Sequence, residues 1–143
     1  MGILTTVVGS YPVPDWLAAL PSEQALADAM AVVIKTQENA GIDLVADGEL
    51  GRFDINHPDT NGMIEYFVKP LGNVRSQITR GDLDAFRQDE DMSFRARPSA
   101  VVDGPLEEGS LDLPHDFSLA RSLTKEPLKF TLTGPHMLCK TLL

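Results

Sequence analysis

Hydrophobic and polar positions along this chain switch between two periods. Leu4-Thr5-Thr6-Val7-Val8 is a short β-branched run closed by Gly9-Ser10 and then Pro12, the pattern of a buried strand that ends in a turn. Leu26, Ala29, Met30, Val33 and Ile34 then recur at three- and four-residue spacing, which predicts one apolar stripe along a helix of about five turns. Ser22 is placed to cap that helix, with Pro21 before it and Glu23 in its first turn. Gly41 stands where a glycine would end it. Ile42 to Ala46 is a second strand-like run, closed by Asp47-Gly48-Glu49. Strand, helix and strand with short connections predict a βαβ unit, hence a parallel pair and a right-handed crossover.

The middle of the chain is less regular. Ile55 to Gly62, with His57, Pro58, Asp59, Thr60 and Asn61, has the chemistry of a loop, and Met63 to Val68 is a short apolar-aromatic segment. Thr79 to Asp91 is rich in charge and reads as a surface helix or an excursion. Val74 to Ile78 is a candidate partner for the β-rich run Ser99 to Asp103, which precedes Gly104-Pro105. Asp112 to Lys125 carries Phe117, Leu119, Ala120 and Leu123 at nearly helical spacing. Leu128 to Leu132 is the third strong strand, ended by Thr133-Gly134-Pro135, and His136 to Leu143 begins a helix. Helices alternating with parallel-type strands mean an α/β fold. The reading is one domain over residues 1–143: the first three βα units of a (β/α)8 barrel, with an irregular excursion after the second strand. A complete barrel takes about 250 residues, so the expectation is an N-terminal part of one. Its open strand edge is expected to favour self-association.

Composition changes this picture little. The chain is 43% hydrophobic and 23% charged, inside the ordinary range for a globular domain. A formal net charge of -9 disfavours nucleic acid and anionic membranes as partners. No apolar run approaches a membrane span, and Met1 to Ser10 lacks the features of a signal peptide. The single cysteine, Cys139, can form no internal disulfide, which fits a reducing compartment. The expected location is cytoplasmic.

The chemistry is expected in the turns that follow the strands, because a barrel gathers them on one face. These are Gly9-Ser10-Tyr11-Pro12, Asp47-Gly48-Glu49 and Thr133-Gly134-Pro135. A P-loop, a dinucleotide fingerprint and a nucleophile elbow are all absent from the sequence. His136 and Cys139 are spaced by three, one helical turn, but two ligands do not make a metal site, and a packed or exposed pair is the commoner meaning. His57 and His115 stand in loop-like sequence with no ligand partner nearby.

Four motifs, in order, resemble the catalytic domain of the cobalamin-independent methionine synthases. Thr5 to Pro12 is similar to that family's opening strand and turn, and Gly41 to Glu49 to its second-strand motif. Arg52, Asp54 and Met63-Ile64-Glu65-Tyr66-Phe67 are similar to the segment after it, and Leu132-Thr133-Gly134-Pro135 to its third-strand turn. The resemblance implies a zinc enzyme that methylates the thiol of homocysteine from a methyltetrahydrofolate-type donor. Carried over by position, it places Val8, Gly9 and Ser10 at the amino acid's polar end and Glu49 on its ammonium group. Asp47, Arg52 and Asp54 would line the site. A carboxylate beside an ammonium is a charge-assisted pair, and backbone N–H groups with a serine hydroxyl suit a carboxylate.

The sequence also departs from the family pattern. Ile55 to Gly62 resembles an insertion, and Arg95-Ala96-Arg97-Pro98 matches the folate-contacting stretch poorly. The family's zinc ligands, a His-x-Cys pair, a glutamate and a further cysteine, have no counterpart here, so none of these residues is assigned to metal. Two other functions fit the same residues: a related zinc-dependent coenzyme M alkyltransferase, and a non-catalytic half-barrel remnant. A sulfonate tail would favour a basic residue at position 49, so Glu49 favours an amino-acid thiol.

Overall fold

A computed structural model describes residues 2–52, 62–89 and 95–143. In chain order its elements are α1 (Asp15–Ala19), α2 (Glu23–Asn39), β1 (Val45–Ala46), a 3-10 turn (Leu50–Arg52), α3 (Gly62–Val68), β2 (Gly72–Arg75), α4 (Arg80–Gln88), β3 (Val101–Glu107), α5 (Leu113–Ser122), β4 (Leu128–Lys129) and α6 (Pro135–Cys139). They fall into two compact units, Met1–Ile55 with Asp112–Thr131 and Asn56–Leu111 with Leu132–Leu143. Asp54 and residues 55–61 of the expected insertion lie outside the described residues.

The first unit is organised by α2. Ser22 Oγ accepts the Ala25 N–H at 3.0 Å, so the helix begins where the capping residue places it. It ends in a Schellman motif. Gly41, at φ 75°, sends its N–H to Glu38 O, and the Ile42 N–H reaches Gln37 O. The stripe of the sequence is the buried face: Ala29, Met30, Val33 and Ile34 are all buried. Ala29, Met30 and Val33 pack with Leu17, Leu50 and Ala120 into the core of this unit. Burying a side chain of the size of Leu, Met or Val is worth about 1.5–3 kcal/mol.

Beside this core runs a parallel sheet. β1 pairs with β4 in the register Val45–Leu128 and Ala46–Lys129, and Thr6 bridges Leu44, also in parallel. The three runs read from sequence as strands are thus neighbours in chain order, although the ordered ladder is short. The first run differs from the buried strand expected of it. Ile3, Leu4 and Val8 are 93, 82 and 91% exposed. Side-chain hydroxyls and one backbone bond hold it instead: Thr6 Oγ1 donates to Leu44 O at 2.7 Å, Thr5 Oγ1 donates to Asp43 Oδ2 at 2.7 Å, and the Leu44 N–H reaches Thr5 O. β-Branched residues fit a pleated surface but do not dictate what covers it. Among the described residues the architecture is mixed α/β with open two-stranded sheets and no closed barrel.

In the second unit β2 and β3 form an antiparallel ribbon with Val74 opposite Val102; the two expected runs do pair, but the first strand is Gly72–Arg75 and not Val74 to Ile78. Ala100 also bridges Leu142 after α6. Thr79 and Asp82 make a reciprocal capping box at the start of α4. Arg75 grips Asp82 from the ribbon with two hydrogen bonds of 2.8 Å, which holds that carboxyl far below the ordinary carboxylate range. Ile64, Val68 and Ala100 form the small core of the unit.

Glu65 lies in this second unit, on α3, 2% exposed, and neither of its carboxylate oxygens has a hydrogen-bond partner among the described residues. Burial pushes its carboxyl up, an effect that the backbone and the charges of Arg95, Lys69 and Arg97 only partly offset. A carboxyl raised in the folded state stabilises least when it is ionised. Its cost is absent below the ordinary pKa near 4.3 and grows as pH rises through the folded value. Glu65→Met, which keeps length and removes the charge, should therefore stabilise the protein at pH 7 by about 1 kcal/mol, a few degrees in Tm. The gain should fade towards pH 4. Thermal melts at the two pH values measure it, and a lower Tm for the variant at pH 7 would overturn the reading.

Candidate functional site

The turns after the first and second strands meet in the first unit. The Tyr11 N–H donates to Gly48 O at 2.9 Å, and this bond joins the turns along their backbones. The turn Asp47-Gly48-Glu49 is built from two successive left-handed residues, Gly48 at φ 73° and Glu49 at φ 57°. Gly48 must be glycine for a second reason, since a Cβ there would stand 2.8 Å from Val33 Cγ1 on α2. Glu49 carries a side chain in a conformation that costs an L-residue roughly 1–2 kcal/mol. Asp47 offsets part of this, because its Oδ1 accepts the Glu49 N–H at 3.1 Å. Upstream, the buried Gln37 of α2 holds both backbone groups of Ala46: its amide donates to Ala46 O at 2.9 Å and accepts the Ala46 N–H at 2.8 Å.

The result is a buried carboxylate with both oxygens engaged. Ser10 Oγ donates to Glu49 Oε2 at 2.8 Å, and Thr131 Oγ1 donates to Oε1 at 2.8 Å. Arg52, at the end of the 3-10 turn, donates to Thr131 Oγ1 at 3.1 Å and to Thr131 O, and its guanidinium stands 5.1 Å from the centre of the Phe130 ring. Its direct approach to Glu49 Oε1 is longer, 3.8 Å. Asp47, Glu49 and Arg52 are 2, 6 and 5% exposed. Burial pushes the Asp47 carboxyl up, while the Glu49 N–H and the Arg52 charge pull it back. Val8, Gly9 and Ser10 lie exposed on the first turn, and Gly9 has φ 96°.

These positions sort the expected site residues. Ser10 and Glu49 come together, with Asp47 and Arg52 around them. Arg52 is no surface residue. The Ser10 hydroxyl donates to Glu49 Oε2. The third turn belongs to the second unit, where Thr133 Oγ1 donates to Met63 O. Asp54 lies outside the described residues. Thr131 is the residue that sequence reading missed. His136 and Cys139 stand on α6, and no group of three His, Cys, Asp or Glu side chains among the described residues could hold a metal ion.

Residues 3–141 match the family model described as Cobalamin-independent synthase, Catalytic domain. The chain belongs to that family. It is 31% identical to a 5-methyltetrahydropteroyltriglutamate–homocysteine methyltransferase of Nitratidesulfovibrio vulgaris, over 92% of this chain and 16% of the relative. With a methionine synthase of Sulfolobus acidocaldarius the identity is 30%, over 92% of this chain and 38% of the relative. The fold is similar to the B12-independent methionine synthase of Shewanella sp. W3-18-1, solved in complex with selenomethionine: TM-score 0.68, 25% identity, 96% of this chain and 40% of that one. The chain thus spans between about a sixth and two fifths of the length of these family members. No described helix is long and apolar enough to cross a membrane.

Proposed function

We propose that this chain supplies the amino-acid-binding end of a methyl transfer from a methyltetrahydrofolate-type donor to the thiol of homocysteine. The observation that carries the reading is the Ser10–Glu49 pair, in which a hydroxyl oxygen and a carboxylate oxygen lie 2.8 Å apart across two turns. Both retain lone pairs, because the hydroxyl proton is already spent on Glu49. Two N–H groups of a primary ammonium can reach both oxygens at once, and one of those bonds is charge-assisted. The substrate carboxylate then falls to the backbone N–H groups of the exposed turn Val8-Gly9-Ser10. The parallel pair β1 and β4, with the first run bridged to the segment before β1, corresponds on this reading to the first three strands of an eight-stranded barrel, whose strand-end turns form the active face.

The residues described do not fit the zinc that the family resemblance implies. His136 and Cys139 are two candidate ligands at most, and among the described residues no third His, Cys, Asp or Glu completes a site with them. What these residues do is bind and orient: they hold the zwitterionic end of the substrate and leave its sulfur-bearing end to point away from the turn.

The reading is tested with L-methionine, which carries the same polar end as homocysteine and needs no thiolate. Calorimetric titration of the purified protein should show L-methionine binding at least about tenfold more tightly than 4-(methylthio)butanoate, which lacks the amino group. A sulfonate thioether should bind no better than the butanoate. Equal affinity for the first two compounds would remove the support for an ammonium site.

A further inference from the structure

We propose that Thr131 is a positioning residue for substrate recognition: its hydroxyl keeps Arg52 from closing onto Glu49, and so leaves the carboxylate available to the substrate ammonium. The inference rests on the reading of Glu49 as the ammonium receptor. It begins from an arrangement of three side chains. Arg52 Nη1 donates to Thr131 Oγ1 at 3.1 Å, Thr131 Oγ1 donates to Glu49 Oε1 at 2.8 Å, and the direct separation of Arg52 Nη1 and Glu49 Oε1 is 3.8 Å. The hydroxyl therefore bridges the two side chains from one side, and each hydrogen bond it makes is shorter than their direct approach.

A buried guanidinium and a buried carboxylate attract strongly, and their preferred geometry is a bidentate pair with N···O distances of about 2.7–2.9 Å. Such a pair would occupy both Glu49 oxygens and neutralise the charge that an ammonium would read. Thr131 prevents this in two ways. It gives Nη1 an acceptor, and its backbone oxygen receives Nη2, so the guanidinium is held on the end of the third strand. The Phe130 ring lies against the same guanidinium and favours that seat. On the other side, the donated proton fixes Oε1, so the rotation of the carboxylate is set and Oε2 stays beside Ser10 Oγ. Burial of Glu49 and Arg52, 6 and 5% exposed, removes the water that would otherwise screen the collapse.

Serine can replace the hydroxyl; valine, of nearly the same shape, cannot. Titration of the purified protein with L-methionine should give Thr131→Val a Kd about tenfold higher than the parent, and Thr131→Ser a Kd within about twofold of it. In a Glu49→Gln background the carboxylate that the hydroxyl guards is gone, so Thr131→Val should add less than about twofold. A structural defect at this position would add in full. Thr131→Ala serves in place of the valine variant if the latter loses its cooperative melt. If Glu49→Gln weakens binding and Thr131→Val does not, or if the two effects add, the positioning role is overturned while the Glu49 reading stands. If neither variant changes the affinity, it is the Glu49 reading that fails.

Discussion

Gln37→Leu is expected to lower the unfolding free energy by about 2–5 kcal/mol. The side chain is 1% exposed and holds the N–H and the C=O of Ala46 at once. Leucine fills similar space but can satisfy neither. Each buried backbone group left without a partner costs about 1–3 kcal/mol, offset in part by the apolar surface gained. Ala46 directly precedes the Asp47-Gly48-Glu49 turn, so the variant should also loosen the site. Urea denaturation followed by circular dichroism, with slope and midpoint both fitted, measures the loss. A change below about 0.5 kcal/mol, the usual range of a surface substitution, would show that the Ala46 backbone finds other partners.

Helix α2 was legible from its own residues because its determinants are local. Ser22, the stripe from Leu26 to Ile34 and Gly41 all act within a turn or two of where they stand, and each does in the structure what its position implies. The parallel neighbourhood of the strands was also legible, from the βαβ order. The burial of the first strand was not. Whether Ile3, Leu4 and Val8 are covered depends on distant packing, and no local pattern encodes that. Gln37 shows the same limit at one position: on a helical wheel it is a polar residue within the apolar stripe, and only the strand laid against it gives its amide two partners.

The site divides along the same line. Gly9-Ser10, Asp47 and Glu49 could be selected because they sit in turns after strands and carry a family motif. Thr131 could not be, since its partners Arg52 and Glu49 are 79 and 82 residues away and its own neighbourhood reads as plain strand. The weak signal was its place at the end of the third strand, where a barrel puts functional side chains. Arg52 was placed in the site by its likeness to the family segment, which does not say whether the side chain is buried. Its burial against Phe130 follows from the 3-10 turn that folds it inward.

The second large effect concerns Glu49 itself. Removing one partner of a buried charge-assisted pair typically costs about 2–5 kcal/mol of binding, much of it the penalty of leaving the other charge unpaired. Glu49→Gln keeps the size of the side chain and can still accept from Thr131 or Ser10, so the fold should survive while the charge facing the ammonium is lost. The expected result is a Kd for L-homocysteine at least about tenfold weaker, with the Tm changed by no more than a few degrees. Isothermal titration of L-homocysteine into parent and Glu49→Gln protein, each checked by a thermal melt, tests the account most directly. Weaker binding by the folded variant is what the account predicts; unaltered affinity would make Glu49 a structural carboxylate and contradict it.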